Sequence, residues 1–115
     1  MASSAAADVR VEKNVRYADR SDRNVLDLYL PEGVQDPPLV VWIHGGGWRT
    51  GDKSNPVGLK AFLDAGFAVA SINYRLSQEA TWPAQLEDLK SAFAFLREHA
   101  AKYGYDAGRI ASFGA

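Results

Sequence analysis

The sequence LVVWIHGGGW, residues 39–48, decides the fold. Leu39 to Ile43 are apolar without interruption, a pattern typical of a strand that is covered on both faces in a parallel sheet. Three glycines then follow His44. Because glycine has no Cβ, such a loop can adopt backbone angles closed to other residues and can approach a bound molecule closely. The stretch predicts a buried parallel strand that runs into a glycine loop.

Strands and helices alternate along the rest of the chain. The spacing of apolar and turn residues predicts, in order, strands Val9–Val15, Val25–Leu30 and Leu39–Ile43, helix Asn55–Ala65, strand Phe67–Ile72, a long helix that ends at Tyr103, and strand Ile110–Phe113. The first two strands are expected to pair antiparallel, and the later ones to form parallel βαβ units with right-handed crossovers. The predicted fold class is therefore α/β, a three-layer αβα arrangement with a mostly parallel sheet and antiparallel N-terminal strands.

The long helix carries the clearest signals at its ends. Thr81 is a predicted N-cap, Pro83 is expected in the first turn, and Gly104 is expected in a left-handed conformation just past the end. Pro56 and Gly66 are predicted to play the same two roles for the shorter helix. The residues predicted to form the core-facing stripe of the long helix are Leu86, Leu89, Phe93, Leu96, Ala100 and Tyr103.

The composition excludes several functional classes. The 115 residues, 47% of them hydrophobic, fit one globular domain. The 13 basic and 14 acidic residues give a net charge of -1, which favours neither nucleic acid nor an anionic membrane as a partner. The sequence contains no Cys, which excludes disulfides and thiolate metal sites. No metal and no cofactor is expected.

Residues 1–8 are predicted to be a disordered leader. Their Ala- and Ser-rich start lacks the basic region and the apolar core of a signal peptide. The longest apolar runs are far too short to span a membrane. The sequence leaves the compartment open, with the cytoplasm favoured.

Two phosphate-binding motifs come close to the glycine loop and fail. A dinucleotide fingerprint, Gly-x-Gly-x-x-Gly, that starts at Gly45 would need a glycine where Thr50 stands. A P-loop that starts at Gly46 reaches Gly51 with the right spacing, but Asp52 displaces the required lysine. That carboxylate would also repel a phosphate. A nucleotide-binding function is therefore not favoured.

Backbone N–H groups fixed at the end of a buried strand can stabilise a developing negative oxygen, such as that of the tetrahedral intermediate in ester hydrolysis. The second and third glycines, Gly46 and Gly47, are the predicted donors. His44 is predicted to support the loop through hydrogen bonds of its imidazole rather than to act as a base. Asp27 and Asp88 are the acidic residues least explained by a solvated surface. The helix dipole is sufficient for Asp88, and a role in bracing the loop stays open.

Six short motifs carry a resemblance to a known family. They are DLYLP (27–31), HGGGW (44–48), GDK (51–53), NYRL (73–76), WPAQ (82–85) and YG (103–104). Over residues 9–115 the chain resembles the α/β-hydrolase esterase and lipase family, and most of all its feruloyl-esterase-like and hormone-sensitive-lipase-like branches. The resemblance implies Gly46 and Gly47 as oxyanion-hole donors. It also implies that Trp48 and Tyr74 lie near the acyl or alcohol pocket.

The family's nucleophile, a Ser within Gly-x-Ser-x-Gly, is not present in the 115 residues, and neither are its later acid and final His. Gly114 and Ala115 resemble the first two residues of that elbow. Residues 9–115 are therefore predicted to be the N-terminal part of an α/β-hydrolase domain that stops just before the nucleophile.

The leading hypothesis is the N-terminal part of a serine carboxylic-ester hydrolase that acts on a small-molecule ester and is inactive alone. An arylformamidase-like amide hydrolase stays open as an alternative, because such enzymes use the same loop. A non-catalytic module made from a truncated hydrolase also stays open. Self-association through the exposed edge of the last strand is a further expectation.

Overall fold

A computed structural model describes residues 8–114. Its strands are β1 (Val9–Arg16), β2 (Val25–Pro31), β3 (Leu39–Ile43), β4 (Ala68–Ile72) and β5 (Ile110–Gly114), and its helices are α1 (Leu59–Asp64), α2 (Ala84–Glu98) and α3 (Ala100–Tyr103). The predicted leader lies outside the described residues apart from Asp8. Ala115, the last predicted elbow residue, lies outside them as well.

The five strands form one mixed sheet with the order β1-β2-β4-β3-β5. β4 and β5 lie on either side of β3, and both run parallel to it. β2 runs antiparallel to both β1 and β4. The predicted strands and the change from antiparallel to parallel pairing are confirmed. The crossovers β3–α1–β4 and β4–α2–β5 run in opposite directions along the sheet, so right-handed connections place α1 and α2 on opposite faces.

The two faces of the sheet are packed by different helices. The core cluster on the α2 side draws on the sheet, α2 and α3, and consists of Tyr17, Leu26, Leu28, Leu30, Leu39, Val41, Ala68, Ala70, Ile72, Ala92, Leu96, Ala100 and Tyr105. On the other side, the ring of Phe62 in α1 lies 5.1 Å from that of Phe113. Phe113 in turn lies 4.8 Å from Trp42. The predicted three-layer αβα fold class is confirmed.

Helix α1 is shorter than the sequence predicted. It begins after Gly58, whose left-handed backbone (φ 76°) cannot belong to the helix. Pro56 therefore lies before the helix and not in its first turn, so that prediction is wrong. Gly66, with φ 89°, follows the end of the helix as predicted.

Helix α2 begins after Pro83, and no side chain caps it. The N–H of Ala84 donates instead to the carbonyl of Thr81 at 3.0 Å, in a turn. The prediction of Thr81 as a side-chain N-cap is therefore wrong. The helix ends at Glu98, and after His99 the short α3 continues to Gly104, whose φ of 89° confirms the predicted left-handed end.

The predicted core-facing stripe is wrong at Leu86 only, since its other members lie in the core cluster or pack against it. Leu86 is 40% exposed, while the residues of α2 that are buried are Ala84, Gln85, Asp88, Ala92 and Leu96. The physical reason is polar: Gln85 Nε2 donates to the carbonyl of Arg75 at 3.0 Å, and Asp88 is held by arginines behind the helix. These partners turn the N-terminal half of α2 so that its polar side faces inward.

Candidate functional site: the glycine loop after β3

The glycine loop follows β3 as a tight turn. The carbonyl of Gly46 accepts hydrogen bonds from the N–H groups of Arg49 at 3.0 Å and Thr50 at 3.2 Å. Gly46 has φ 120° and Gly47 has φ 63°. A Cβ on Gly46 would lie closer than 3.0 Å to the carbonyl oxygen of Thr50. Only glycine therefore fits at position 46, for reasons of both backbone conformation and space.

The carbonyls of Gly45 and Gly46 are both hydrogen-bonded, and this fixes the direction in which the next N–H groups point. The carbonyl of Gly45 lies 2.8 Å from His44 Nδ1, and the carbonyl of Gly46 is held in the turn. In a planar trans peptide the N–H points opposite to the C=O, so the N–H groups of Gly46 and Gly47 point away from these partners. Neither amide donates a hydrogen bond to any other residue between 8 and 114. Two adjacent amides are thus left free to bind another molecule.

His44 is the side chain that fixes the Gly45 carbonyl. It is buried, and that burial lowers the pKa of its imidazole, so the ring is neutral at neutral pH. A carbonyl can only accept, so Nδ1 carries the ring proton and donates to Gly45. Tyr74 stacks on the imidazole at 4.4 Å and donates from Oη to the His44 carbonyl at 2.7 Å. The ring therefore has a single tautomer and a fixed orientation.

A small cavity of about 190 Å³ opens at the loop. Its lining residues are Ile43, His44, Gly45, Gly47, Trp48 and Tyr74. Four of the five site residues predicted from the sequence thus meet at one cavity: His44, Gly47, Trp48 and Tyr74. Gly46 belongs to the same turn but does not line this cavity.

The outer wall of the cavity is aromatic. The ring of Trp48 lies 5.3 Å from Tyr74 and 5.5 Å from Trp82. Trp82 does not line the cavity itself; it is 57% exposed and lies two residues before the start of α2. Trp82 opens the WPAQ motif but was not among the site residues predicted from the sequence. The carbonyl of Trp48 accepts the N–H of Ser77 at 2.6 Å, which ties this wall to the chain after β4.

Asp27 and Asp88, the two carboxylates singled out in the sequence, lie in different places. Asp27 in β2 pairs with Lys53, just after the glycine loop. Asp88 in α2 pairs with Arg20 and Arg75. Asp88 makes no hydrogen bond to residues 44–51. The open role of bracing the loop therefore does not belong to Asp88.

The remaining polar candidates have structural partners. Ser71 is buried and donates to the carbonyl of Lys53 at 2.8 Å. His99 stacks on Phe95 at 4.0 Å. Across residues 8–114, no group of three or more His, Asp or Glu side chains could hold a metal ion. No helix in that part of the chain is long and apolar enough to cross a membrane.

Comparisons with known proteins agree on one family. The BD-FAE family model matches residues 26–115. Carboxylesterase NlhH of Mycobacterium tuberculosis is 39% identical over 106 residues, which are 90% of this chain and 33% of that protein. Carboxylic ester hydrolase LipN of the same organism is 42% identical over 86 residues, 72% of this chain and 23% of that protein.

Solved structures give the same result. A truncated form of a carbohydrate esterase from gut microbiota has a TM-score of 0.83 and 36% identity, over 91% of this chain and 39% of that one. Inhibited esterase B from Lactobacillus rhamnosis has a TM-score of 0.79 and 28% identity, over 93% of this chain and 36% of that one. The chain spans a third or less of the length of the two mycobacterial relatives.

Proposed function

Because the chain belongs to the BD-FAE family of α/β-hydrolase esterases, we propose that it forms the oxyanion-binding part of a serine carboxylic-ester hydrolase. The observation that carries the proposal is the pair of free amides of Gly46 and Gly47, whose partner carbonyls are bound elsewhere. Donors that are fixed before the reaction stabilise a developing oxyanion without reorganising, which is the largest single effect in many acyl-transfer enzymes.

The register of β5 supports a place for the nucleophile beside this loop. Gly114 pairs with Ile43, the last residue of β3, so the chain leaves β5 next to the point where the glycine loop begins. A Cβ on Gly114 would lie closer than 3.0 Å to the Ile43 carbonyl. In this proposal a longer form of the chain continues from Ala115 into the Ser of a Gly-x-Ser-x-Gly elbow. That Ser gives its proton to the general base and attacks the ester carbonyl; the ester C–O bond breaks, the alcohol leaves with that proton, and the Ser oxygen holds the acyl group until water hydrolyses it.

The substrate in this proposal is a small carboxylic ester. Its carbonyl oxygen points at the amides of Gly46 and Gly47, and its acyl or alcohol group lies against Trp48 and Tyr74. The apolar, aromatic wall suits an uncharged group. His44 is neutral and donates its only ring proton within the loop, so its role is to hold the Gly45 carbonyl in place. A general base and its acid partner come from beyond residue 115.

The experiment uses the complete protein that carries this chain together with the remaining two thirds found in its relatives. Steady-state kinetics on nitrophenyl butyrate compare wild type, His44→Ala and His99→Ala. Without the imidazole the Gly45 carbonyl can turn, and kcat is expected to fall by about a hundredfold with little change in KM. His99 lies at the end of α2, so its variant is the matched control and keeps wild-type kcat.

Three results would contradict the proposal. Equal kcat for His44→Ala and His99→Ala would show that the orientation of the glycine loop does not affect catalysis. Faster cleavage of the matching nitroanilide or of a formanilide than of the ester would favour the amide-hydrolase alternative. A folded complete protein with no turnover of any of these substrates would favour the non-catalytic module.

A further inference from the structure

We propose that the buried Asp27–Lys53 ion pair is a positioning device for the glycine loop: it sets where Gly51 sits behind His44 and the Gly45 carbonyl, and thereby the direction of the Gly46 amide. The inference rests on the proposed function, since it assigns a role in orienting the oxyanion donors. It concerns residues that touch neither the cavity nor a substrate.

The first step is the pair itself. Lys53 Nζ lies 3.1 Å from Asp27 Oδ1 and 3.2 Å from Oδ2. The side chains are 0% exposed for Asp27 and 10% exposed for Lys53. Asp27 Oδ1 also accepts the N–H of Asn14 at 2.8 Å, where β1 bulges. The Asp27 carboxylate is therefore fixed within the sheet, and it fixes the position of the Lys53 ammonium.

The second step is the backbone of Lys53. Its N–H donates to Asn73 Oδ1 at 2.8 Å, and its carbonyl accepts the hydroxyl of Ser71 at 2.8 Å. Ser71 is opposite Asp27 in the pairing of β2 with β4. Lys53 is thus held at its side chain, its N–H and its C=O by neighbouring positions of the sheet.

The third step leads from Lys53 to the loop. Gly51 precedes Lys53 by two residues and has φ 108°. A Cβ there would lie closer than 3.0 Å to both His44 Nδ1 and the Gly45 carbonyl oxygen. Gly51 therefore packs directly against the hydrogen bond that turns the Gly45 carbonyl. Its own carbonyl accepts Arg23 Nη2 at 2.8 Å, so this contact cannot slide freely.

The type of interaction points to positioning rather than to stability. Removing two charges from water costs free energy, and apolar residues of similar size often stabilise a fold as well as a buried ion pair does. An apolar side chain tolerates small shifts, because it packs without a preferred partner. A buried ammonium beside one fixed carboxylate does not, since leaving that carboxylate would strand the charge.

The test separates position from stability in the complete protein. The double variant Asp27→Leu with Lys53→Met removes both charges while it keeps apolar bulk, so its melting temperature is expected to stay near that of wild type. Its kcat on nitrophenyl butyrate is expected to fall about ten- to a hundredfold with KM nearly unchanged, because small misplacement of a donor costs that much. The exposed pair Lys60 and Asp64, replaced by Met and Leu, is the matched control and changes neither quantity.

A second variant keeps the inference testable if the double variant unfolds. Ser71→Ala removes only the hydrogen bond to the Lys53 carbonyl, and kcat is expected to fall by a smaller factor than in the double variant, again with KM kept. A stable double variant, or a stable Ser71→Ala, with wild-type kcat would overturn the inference. If that result is found and His44→Ala still lowers kcat in the same assay, the inference falls while the proposed function stands. If His44→Ala has no effect either, the proposed function itself fails.

Discussion

Asp27 and Asp88 are both fully buried carboxylates, but they pair with different kinds of cation in different parts of the fold. Asp27 lies in β2 and pairs with Lys53, which is almost as buried and follows the glycine loop. Asp88 sits on α2 and pairs with Arg75 and Arg20, whose side chains are 13% and 39% exposed. In our proposal the first region orients the peptides of the glycine loop, whereas the second ties α2 to Arg20 and to Arg75 after β4. Equal burial of a charge therefore does not imply an equal role.

The largest expected effect comes from removing each carboxylate in turn. Asp27→Ala leaves the charge of Lys53 unpaired in a mostly buried site, which costs about 3–5 kcal/mol of unfolding free energy. Asp88→Ala costs less, about 1.5–3 kcal/mol, because Arg75 also reaches Glu87 and Arg20 also reaches Ser91. Urea unfolding of both variants measures the difference. A larger loss for Asp88→Ala would break the comparison.

The next effect tests the link between the Asp27 region and the loop. Gly51→Ala places a Cβ against His44 Nδ1 and the Gly45 carbonyl, so kcat of the complete protein is expected to fall by about a hundredfold. Gly33→Ala is the control, since Gly33 also has a positive φ of 85° but no atom within 4 Å of the new Cβ. It also places a side chain at a positive φ, without touching the loop. Similar kcat values for the two variants would show that the contact behind His44 does not matter.

The smallest effect is a pH dependence on the Asp88 side. Burial opposes ionisation of Asp88, but hydrogen bonds and charge from Arg75, and then a hydrogen bond from Arg20, hold its pKa below the ordinary value. A carboxyl group with a lower pKa in the native state stabilises the fold at neutral pH, and this stability is lost as pH falls from about 4 through the native pKa. Unfolding free energies between neutral pH and about pH 3 are expected to fall less for Asp88→Asn than for wild type. If unfolding free energy fell equally with pH in Asp88→Asn and in wild type, Arg75 and Arg20 would not be stabilising the Asp88 carboxylate.

The sequence predicted the strands well because their signal is local. Leu39–Ile43 is apolar throughout, and the structure buries it in the middle of the parallel strands. The stripe was predicted less well at its start, where Leu86 is exposed although Leu89 and Phe93 pack against the core. Apolar spacing gives no information about polar partners elsewhere in the chain. Gln85 and Asp88 face inward only because acceptors and arginines behind the helix meet them. The spacing of apolar residues along a helix cannot reveal such long-range polar contacts.

The candidate site was predicted in part. The order His44-Gly45-Gly46-Gly47 indicated a loop with free amides, and its carbonyls are bound in a way that leaves two amides free. Lys53 belongs to the GDK motif, but the sequence gave no sign that it is buried, because a lysine in a polar stretch usually belongs to the surface. The positioning role that we propose for it depends on Asp27, which is 26 residues away in the chain. A partner at such a distance is found only once the sheet is known.

The most direct measurement is a crystal structure of the complete protein inactivated by a phosphonate ester, whose phosphoryl oxygen stands in for the oxyanion. The proposed function expects the N–H groups of Gly46 and Gly47 to lie about 2.7–3.1 Å from that oxygen. His44 Nδ1 is expected to remain on the Gly45 carbonyl, with Lys53 still paired to Asp27. A phosphoryl oxygen held by other groups, with both glycine amides farther than about 3.5 Å from it, would contradict the account.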